Sequence, residues 1–168
     1  MSAVDVGCLY LTAFAQAVAP HIGLLVPTSE SAGKLVHIRI DRNASPNWTF
    51  QCRDQKIEGD MFMTSLLKIG GLIAWGTLSE VAQTVVVPPN DRFGECSPWV
   101  KSLIDKLNEL GFIGVANVDG LMKEFKEFAA GNRAFARRDK YPNVAISRYF
   151  VPSMDNRYDS ELNLTTHA

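Results

Sequence analysis

The chain has 168 residues, of which 46% are hydrophobic and 21% are charged, and its 17 basic residues nearly balance its 18 acidic residues. This composition supports one compact core and excludes a disordered or highly charged binding protein. A near-neutral charge argues against nucleic acid as a partner. The sequence has no basic leader and no apolar run of the roughly 20 residues that span a bilayer, which predicts a cytoplasmic protein without stable membrane insertion.

The first half of the chain predicts an antiparallel sheet. Short runs of β-branched and aromatic residues are separated by Pro, Gly, Ser or Asn, as is typical of strands joined by turns. The predicted strands cover residues 6–14, 21–26, 35–40, 48–52, 64–69 and 84–87, with a helical turn over 78–83.

The run over residues 35–40 shows the clearest alternation. Val36 and Ile38 share one face of the predicted strand, whereas His37 and Arg39 share the other. The pattern therefore predicts a strand with one apolar and one polar face.

The second half of the chain changes to helical spacing. Apolar residues recur every three or four positions over residues 97–110 and again over 118–138, which predicts two amphipathic helices packed on the sheet. The fold class is therefore predicted as α+β, with an antiparallel sheet and two packed helices. Residues 1–140 are predicted to form a single domain and residues 141–168 a partly disordered C-terminal extension, in which 144–146 and 149–151 could dock as a strand.

The usual cofactor and metal motifs are absent from the sequence. Cys8, Cys52 and Cys96 show no C-x-x-C spacing, which argues against a structural zinc site or a disulfide framework. No phosphate-binding loop, dinucleotide fingerprint, zinc-protease motif or serine-hydrolase elbow occurs. The sequence therefore predicts neither a cofactor nor a metal.

Cys96 immediately precedes the first predicted helix. Backbone N–H groups and the positive end of the helix dipole favour a thiolate at such a position, so the thiol is expected to have a pKa below its usual value and to be a candidate nucleophile. The alternative interpretation is a small buried hydrophobic residue at a loop–helix junction.

Two histidines lie early enough in the chain to serve such a thiol. His21 opens a predicted strand, and His37 lies on the next strand in phase with Arg39. A ring–ring hydrogen bond would let His37 orient His21. Taken singly, His21 is equally consistent with a histidine at a strand edge, and His37 with a solvent-facing residue.

The order of these three residues resembles that of the circularly permuted papain-like cysteine proteins. This group is similar to the NlpC-type hydrolases and includes the lecithin:retinol acyltransferase relatives and permuted papain-like isopeptidases. The chain also resembles an uncharacterised fungal domain. The matching stretches are residues 20–26, 36–38 and 95–100, the last of which reads Cys-Ser-Pro-Trp from Cys96.

This resemblance implies a permuted papain-like topology and assigns Cys96 as the nucleophile, His21 as the general base and His37 as the orienting residue. It implies a small-molecule or peptide acyl substrate, cleaved or transferred at an amide, ester or thioester. The sequence departs from the family at Glu95, where relatives often carry Asn, and at Ile22, where they often carry an aromatic residue. A carboxylate beside the thiol opposes its ionisation.

The second donor for an oxyanion is not fixed by the sequence. Tyr10 and Gln16 are candidates by position, and core packing is the alternative role for Tyr10.

Two non-enzymatic interpretations remain open at this point. The same fold could be a noncatalytic ligand- or peptide-binding module, or an accessory protein of a small-molecule biosynthetic pathway with an apolar pocket. The aromatic residues Phe62, Trp75 and Phe93 permit such a pocket, although scattered aromatic residues more often belong to the core.

Overall fold

The computed structural model describes residues 3–152, which form an α+β fold. The three helices are α1 (Trp75–Gln83), α2 (Cys96–Glu109) and α3 (Val118–Gly131), followed by a 3₁₀ helix at Arg133–Phe135. The strands are β1 (Cys8–Phe14), β2 (His21–Pro27), β3 (Ala32–Ile40), β4 (Trp48–Lys56), β5 (Met63–Leu72) and β6 (Asn143–Ile146). All six strands belong to one sheet in the order β4, β3, β2, β1, β5, β6.

The prediction of a purely antiparallel sheet is wrong at one edge. Strands β1 to β5 pair antiparallel, but β6 runs parallel to β5. A parallel pair needs a long crossover, and the helical segment between β5 and β6 supplies it. β6 lies within the predicted C-terminal extension, 141–168, and forms the edge of the sheet. The part of that extension beyond residue 152 lies outside the described residues.

The helix predictions need three corrections. The described residues contain three α-helices rather than two, because the expected turn at 78–83 is the C-terminal part of α1. Residues 84–87 form no strand, since Thr84 closes α1 through its backbone and side-chain hydrogen bonds to the Val81 carbonyl. The helix predicted over 118–138 ends at Gly131 because Asn132 leaves the helix and bonds Ser65 and Asn143 instead.

Each face of the sheet packs against its own core. The larger core lies between the sheet and the helices and includes Leu78 of α1, Val100 of α2 and Phe125 of α3. A smaller core on the opposite face contains Tyr10 and Leu25. The sheet therefore has a helix face and an opposite face, and these two faces determine where each candidate side chain lies.

Three aromatic residues for which the sequence left a pocket or a core position open are at the surface. Phe62, Trp75 and Phe93 are 56%, 43% and 65% exposed. Phe62 and Phe93 lie in connecting segments outside the helices and strands, where no second layer covers them. Among residues 3–152, no helix has the length and apolar character needed to cross a bilayer.

Candidate active site

Cys96 is the first residue of α2, as the helix prediction required. The preceding residue, Glu95, makes no side-chain capping bond, so its carboxylate does not occupy the helix N-terminus. The Cys96 side chain packs in the larger core and is only 7% exposed. The backbone N–H groups of Ile22, Cys96 and Ser97 lie close enough to its sulfur to favour the thiolate. The thiol therefore lies between the N-terminus of α2 and the start of β2.

The expectation of an unusually acidic thiol is wrong for this structure. Burial raises the pKa of Cys96 above its usual value, because a thiolate loses solvation there. The three backbone N–H groups lower the pKa but do not outweigh burial. The resting thiol is therefore protonated at neutral pH, and nucleophilic attack would require a base.

His21 and His37 form a hydrogen-bonded pair. His21 Nε2 lies 2.7 Å from His37 Nδ1, which is the ring–ring hydrogen bond predicted from the sequence. His37 is not solvent-facing: it is 3% exposed, and its Nε2 lies 2.9 Å from Gln51 Oε1. Gln51 is the direct cross-strand partner of His37 on β4. Three side chains from three neighbouring strands therefore form one hydrogen-bonded series.

The series fixes where the protons lie when both rings are neutral. Because Gln51 Oε1 can only accept, His37 Nε2 carries the hydrogen and His37 Nδ1 has a lone pair. His21 Nε2 must then donate to that lone pair, which leaves the lone pair of His21 on Nδ1. No hydrogen bond within the described residues occupies that nitrogen, so it is available to accept a proton.

Both imidazoles are strongly biased toward the neutral form. Burial lowers the pKa of His21 to about 4, with a further contribution from the positive charge of Arg53. Burial also lowers the pKa of His37 to about 3, and the hydrogen bond to Gln51 only partly opposes it. The pair is therefore uncharged at neutral pH.

The thiol and the imidazoles belong to different faces of the sheet. Ile22 and Leu24 pack with Cys96 on the helix face, and strand alternation puts His21 on the opposite face. His37 is likewise out of phase with the buried Val36 and shares the face of His21. Consequently no hydrogen bond joins the Cys96 sulfur to either imidazole in the part of the chain that the structure describes.

One cavity nevertheless reaches all three residues. It has a volume of about 650 Å³ and is lined by Cys96, His21 and His37. The ladder between β2 and β3 begins only at Leu24, so residues 21–23 have no partner in it. The cavity is lined by His21 at the start of β2 and by Cys96 at the start of α2. The cavity lining also includes Gln16, Trp48, Arg39, Arg42, Arg53, Asp91 and Phe93.

The two candidate oxyanion donors have different positions. Gln16 is exposed and lines the cavity. Tyr10 belongs to the smaller core, and its hydroxyl accepts the backbone N–H of Asp5. Tyr10 therefore packs in the core, whereas Gln16 lies at the cavity wall.

Sequence reasoning missed Gln51 and Arg53. The signal was the alternation on β4, where the partly buried Trp48 and Phe50 pack against the larger core while Gln51 and Arg53 take the face of His37. Only the register of β3 against β4 shows that Gln51 directly faces His37.

Residues 3–152 contain no group of three or more His, Cys, Asp or Glu side chains arranged to hold a metal ion. The ring nitrogens that face each other in the histidine pair are already used in its hydrogen bond. The arrangement is a hydrogen-bonded histidine pair that shares a cavity with a thiol.

Comparisons with known proteins identify no relative. No protein-family model matches the chain, and neither a curated protein nor a solved structure matches it.

Proposed function

We propose that this chain is a cysteine-dependent hydrolase or acyltransferase acting on an amide, ester or thioester, with a permuted papain-like arrangement of its elements. The hydrogen-bonded series Gln51–His37–His21 carries the proposal, because it leaves one ring nitrogen of His21 unbonded, and His21 lines a cavity that also reaches the thiol at the N-terminus of α2.

The proposed reaction begins from a neutral thiol and a neutral imidazole. His21 Nδ1 takes the Cys96 proton through water in the cavity that both residues line, as the sulfur attacks the acyl carbon. The carbonyl oxygen gains negative charge and is stabilised by backbone N–H groups at the start of α2 and by Gln16. His21 then protonates the leaving group as its bond to the acyl carbon breaks. Water or an amine finally displaces the sulfur and releases the acyl group.

Acyl-enzyme formation tests this proposal. The protein is incubated with p-nitrophenyl acetate, quenched in acid and digested, and the acetylated cysteine is identified by mass spectrometry. We expect the acetyl group on Cys96, and His21→Ala should slow its appearance by at least about tenfold, the effect of removing a general base. Cys52→Ala is the matched control and should acylate like the parent. Acylation of Cys52 alone, or a Cys96 rate that His21→Ala leaves unchanged, would contradict the proposal.

Gln51 is a positioning residue in this scheme, and its variant has a separate readout. Gln51→Leu removes the acceptor that holds the His37 hydrogen on Nε2. We expect the nitrogen chemical shifts of both rings to lose their single-tautomer pattern while the chain stays folded. A purely structural role for Gln51 would leave those tautomers unchanged.

A noncatalytic ligand-binding module is the second candidate function. The raised pKa of Cys96 and the lack of a thiol–imidazole hydrogen bond within residues 3–152 favour it. On this alternative, the cavity binds its ligand without covalent chemistry. Cys96→Ala would then preserve ligand binding, and no acyl-enzyme would form with any ester.

A further inference from the structure

The cavity beside the histidine pair has an excess of positive charge. Three arginines, Arg39, Arg42 and Arg53, line it together with one carboxylate, that of Asp91. Two of these arginines already have an acidic partner: Arg39 lies 3.2 Å from Asp41, and Arg42 lies 3.5 Å from Asp91.

Arg53 differs from the other two arginines. Among the described residues its guanidinium has no carboxylate within ion-pair distance, and its side-chain hydrogen bond goes to the neutral Gln55 Oε1 at 3.0 Å. The nearby Asp60 carboxylate is already used, since it accepts bonds from Gln55 Nε2 and from two backbone N–H groups. A guanidinium offers five N–H donors in a planar fork, so most of those of Arg53 remain for a ligand.

We propose that Arg53 binds an anionic oxygen group of the substrate, a carboxylate or a phosphate, beside His21 and His37. The planar fork suits the paired oxygens of either group. The inference rests on the proposed function only in calling this ligand a substrate, since the charge recognition itself needs no turnover.

An anion bound to Arg53 also affects the protonation of the two histidines. The positive charge of Arg53 opposes a positive charge on both His21 and His37. An anion bound to Arg53 cancels that repulsion. The same contact that holds the substrate therefore favours the protonated imidazole that forms during acyl transfer. A substrate without the anionic group leaves the repulsion between Arg53 and a protonated imidazole in place.

Two aromatic side chains that line the cavity indicate what else the ligand contains. Phe93 is 65% exposed and lines the cavity, as does the indole of Trp48, whose Nε1 donates to the Arg92 carbonyl. These rings offer apolar contact within the same cavity. The favoured substrate class is thus an acyl compound with an apolar portion and one anionic group.

Two alkylating reagents that differ in charge test the proposal. Iodoacetate and iodoacetamide are reacted separately with the whole protein, and the rate constant for each is measured at Cys96 by peptide mass spectrometry. We expect Arg53→Gln to lower the iodoacetate-to-iodoacetamide ratio on the order of fivefold, the effect of one near-surface charge. Arg137→Gln is the matched control, because Arg137 pairs with Asp139 and does not line the cavity. Equal ratios in Arg53→Gln and the parent would overturn the proposal.

A binding measurement covers the case in which Cys96 alkylates too slowly. Acetate and inorganic phosphate are titrated separately into the protein while the imidazole nitrogen shifts of His21 and His37 are followed. Shifts that disappear in Arg53→Gln support the proposal, and the anion with the lower half-saturation identifies the preferred group. Absent shifts, or shifts that persist in the variant, overturn it. Failure of the proposed function is distinguishable, because it removes acyl-enzyme formation while leaving these charge effects in place.

Discussion

Thr12 is a buried polar residue whose hydroxyl is unsatisfied. It lies on β1 with no exposed surface, and its Oγ1 has no hydrogen-bond partner among residues 3–152. A buried hydroxyl without a partner loses its hydration and gains nothing in return. We expect Thr12→Val, which keeps the shape, to raise the free energy of unfolding by about 1 kcal/mol in urea denaturation.

A second buried threonine gives the matched control. Thr64 Oγ1 lies 3.3 Å from the Ala13 carbonyl and 3.0 Å from Ser65 Oγ. Thr64→Val should therefore lower the free energy of unfolding by about 1 kcal/mol, the opposite sign. If both variants shift the midpoint in the same direction, hydroxyl satisfaction does not determine the effect.

Residue type and chain order were enough to identify the candidate side chains but not their environment. Cys96, His21 and His37 stand out because thiols and imidazoles are few in this chain. The pKa of Cys96 depends on how deeply the thiol packs under α2, which the sequence does not show. Arg53 was missed because the sequence does not show its neighbours either. An arginine indicates an anion-binding site only when no nearby carboxylate is free to pair with it.

At the level of the strands, the close approach of β2 to β3 requires a glycine. A Cβ at Gly23 would lie 2.9 Å from the Val36 carbonyl oxygen and 3.1 Å from His37 Cβ. The backbone oxygen cannot move away as a flexible side chain would. We expect Gly23→Ala to destabilise the fold by about 1–3 kcal/mol through overpacking, measured by urea denaturation, and to displace His37 from His21.

Another glycine controls for the change in chain entropy. A Cβ at Gly76, in the first turn of α1, meets no atom within 4 Å. Gly76→Ala should therefore stabilise the protein by up to about 1 kcal/mol through helix propensity. A stabilising effect of Gly23→Ala as well would show that β2 and β3 can separate without cost.

Strand alternation predicted one part of the site and conflicted with another. The pattern over residues 35–40 correctly separated His37 from Val36 and Ile38. Amphipathic helices cover the apolar face of a sheet, so the same pattern put His37 on the face away from Cys96. One cavity nevertheless reaches residues of both faces. Local periodicity contains no signal for such a cavity.

At the scale of the whole molecule, the α+β fold class could be predicted from the change of hydrophobic period along the chain. The edge strand β6 could not be predicted in this way. Five strands lie close to their predicted positions because each is a short apolar or alternating run followed by turn residues. β6 is only four residues long and gains its partner from β5, about 80 positions earlier. Such a pairing depends on how α3 ends at Asn132, a tertiary contact rather than a local pattern.

The buried histidine pair also makes global stability depend on pH. In the unfolded chain a histidine has a pKa of about 6.5, whereas burial lowers the folded values to about 4 for His21 and about 3 for His37. Between those limits the unfolded chain binds more protons, so the free energy of unfolding falls as the pH falls. The stabilisation is complete above pH 6.5 and is lost progressively toward about pH 4 for His21 and about pH 3 for His37.

We expect acidification from pH 7.5 to pH 5 to cost roughly 1–2 kcal/mol for each imidazole, measured by urea denaturation at constant ionic strength. The double variant His21→Gln with His37→Gln should lose most of this dependence. Added salt should change it little, because burial is the leading cause of both shifts and ions do not screen desolvation. A parent protein whose stability is the same at pH 7.5 and pH 5 would mean that the two rings accept protons without unfolding, and hence that the cavity hydrates them.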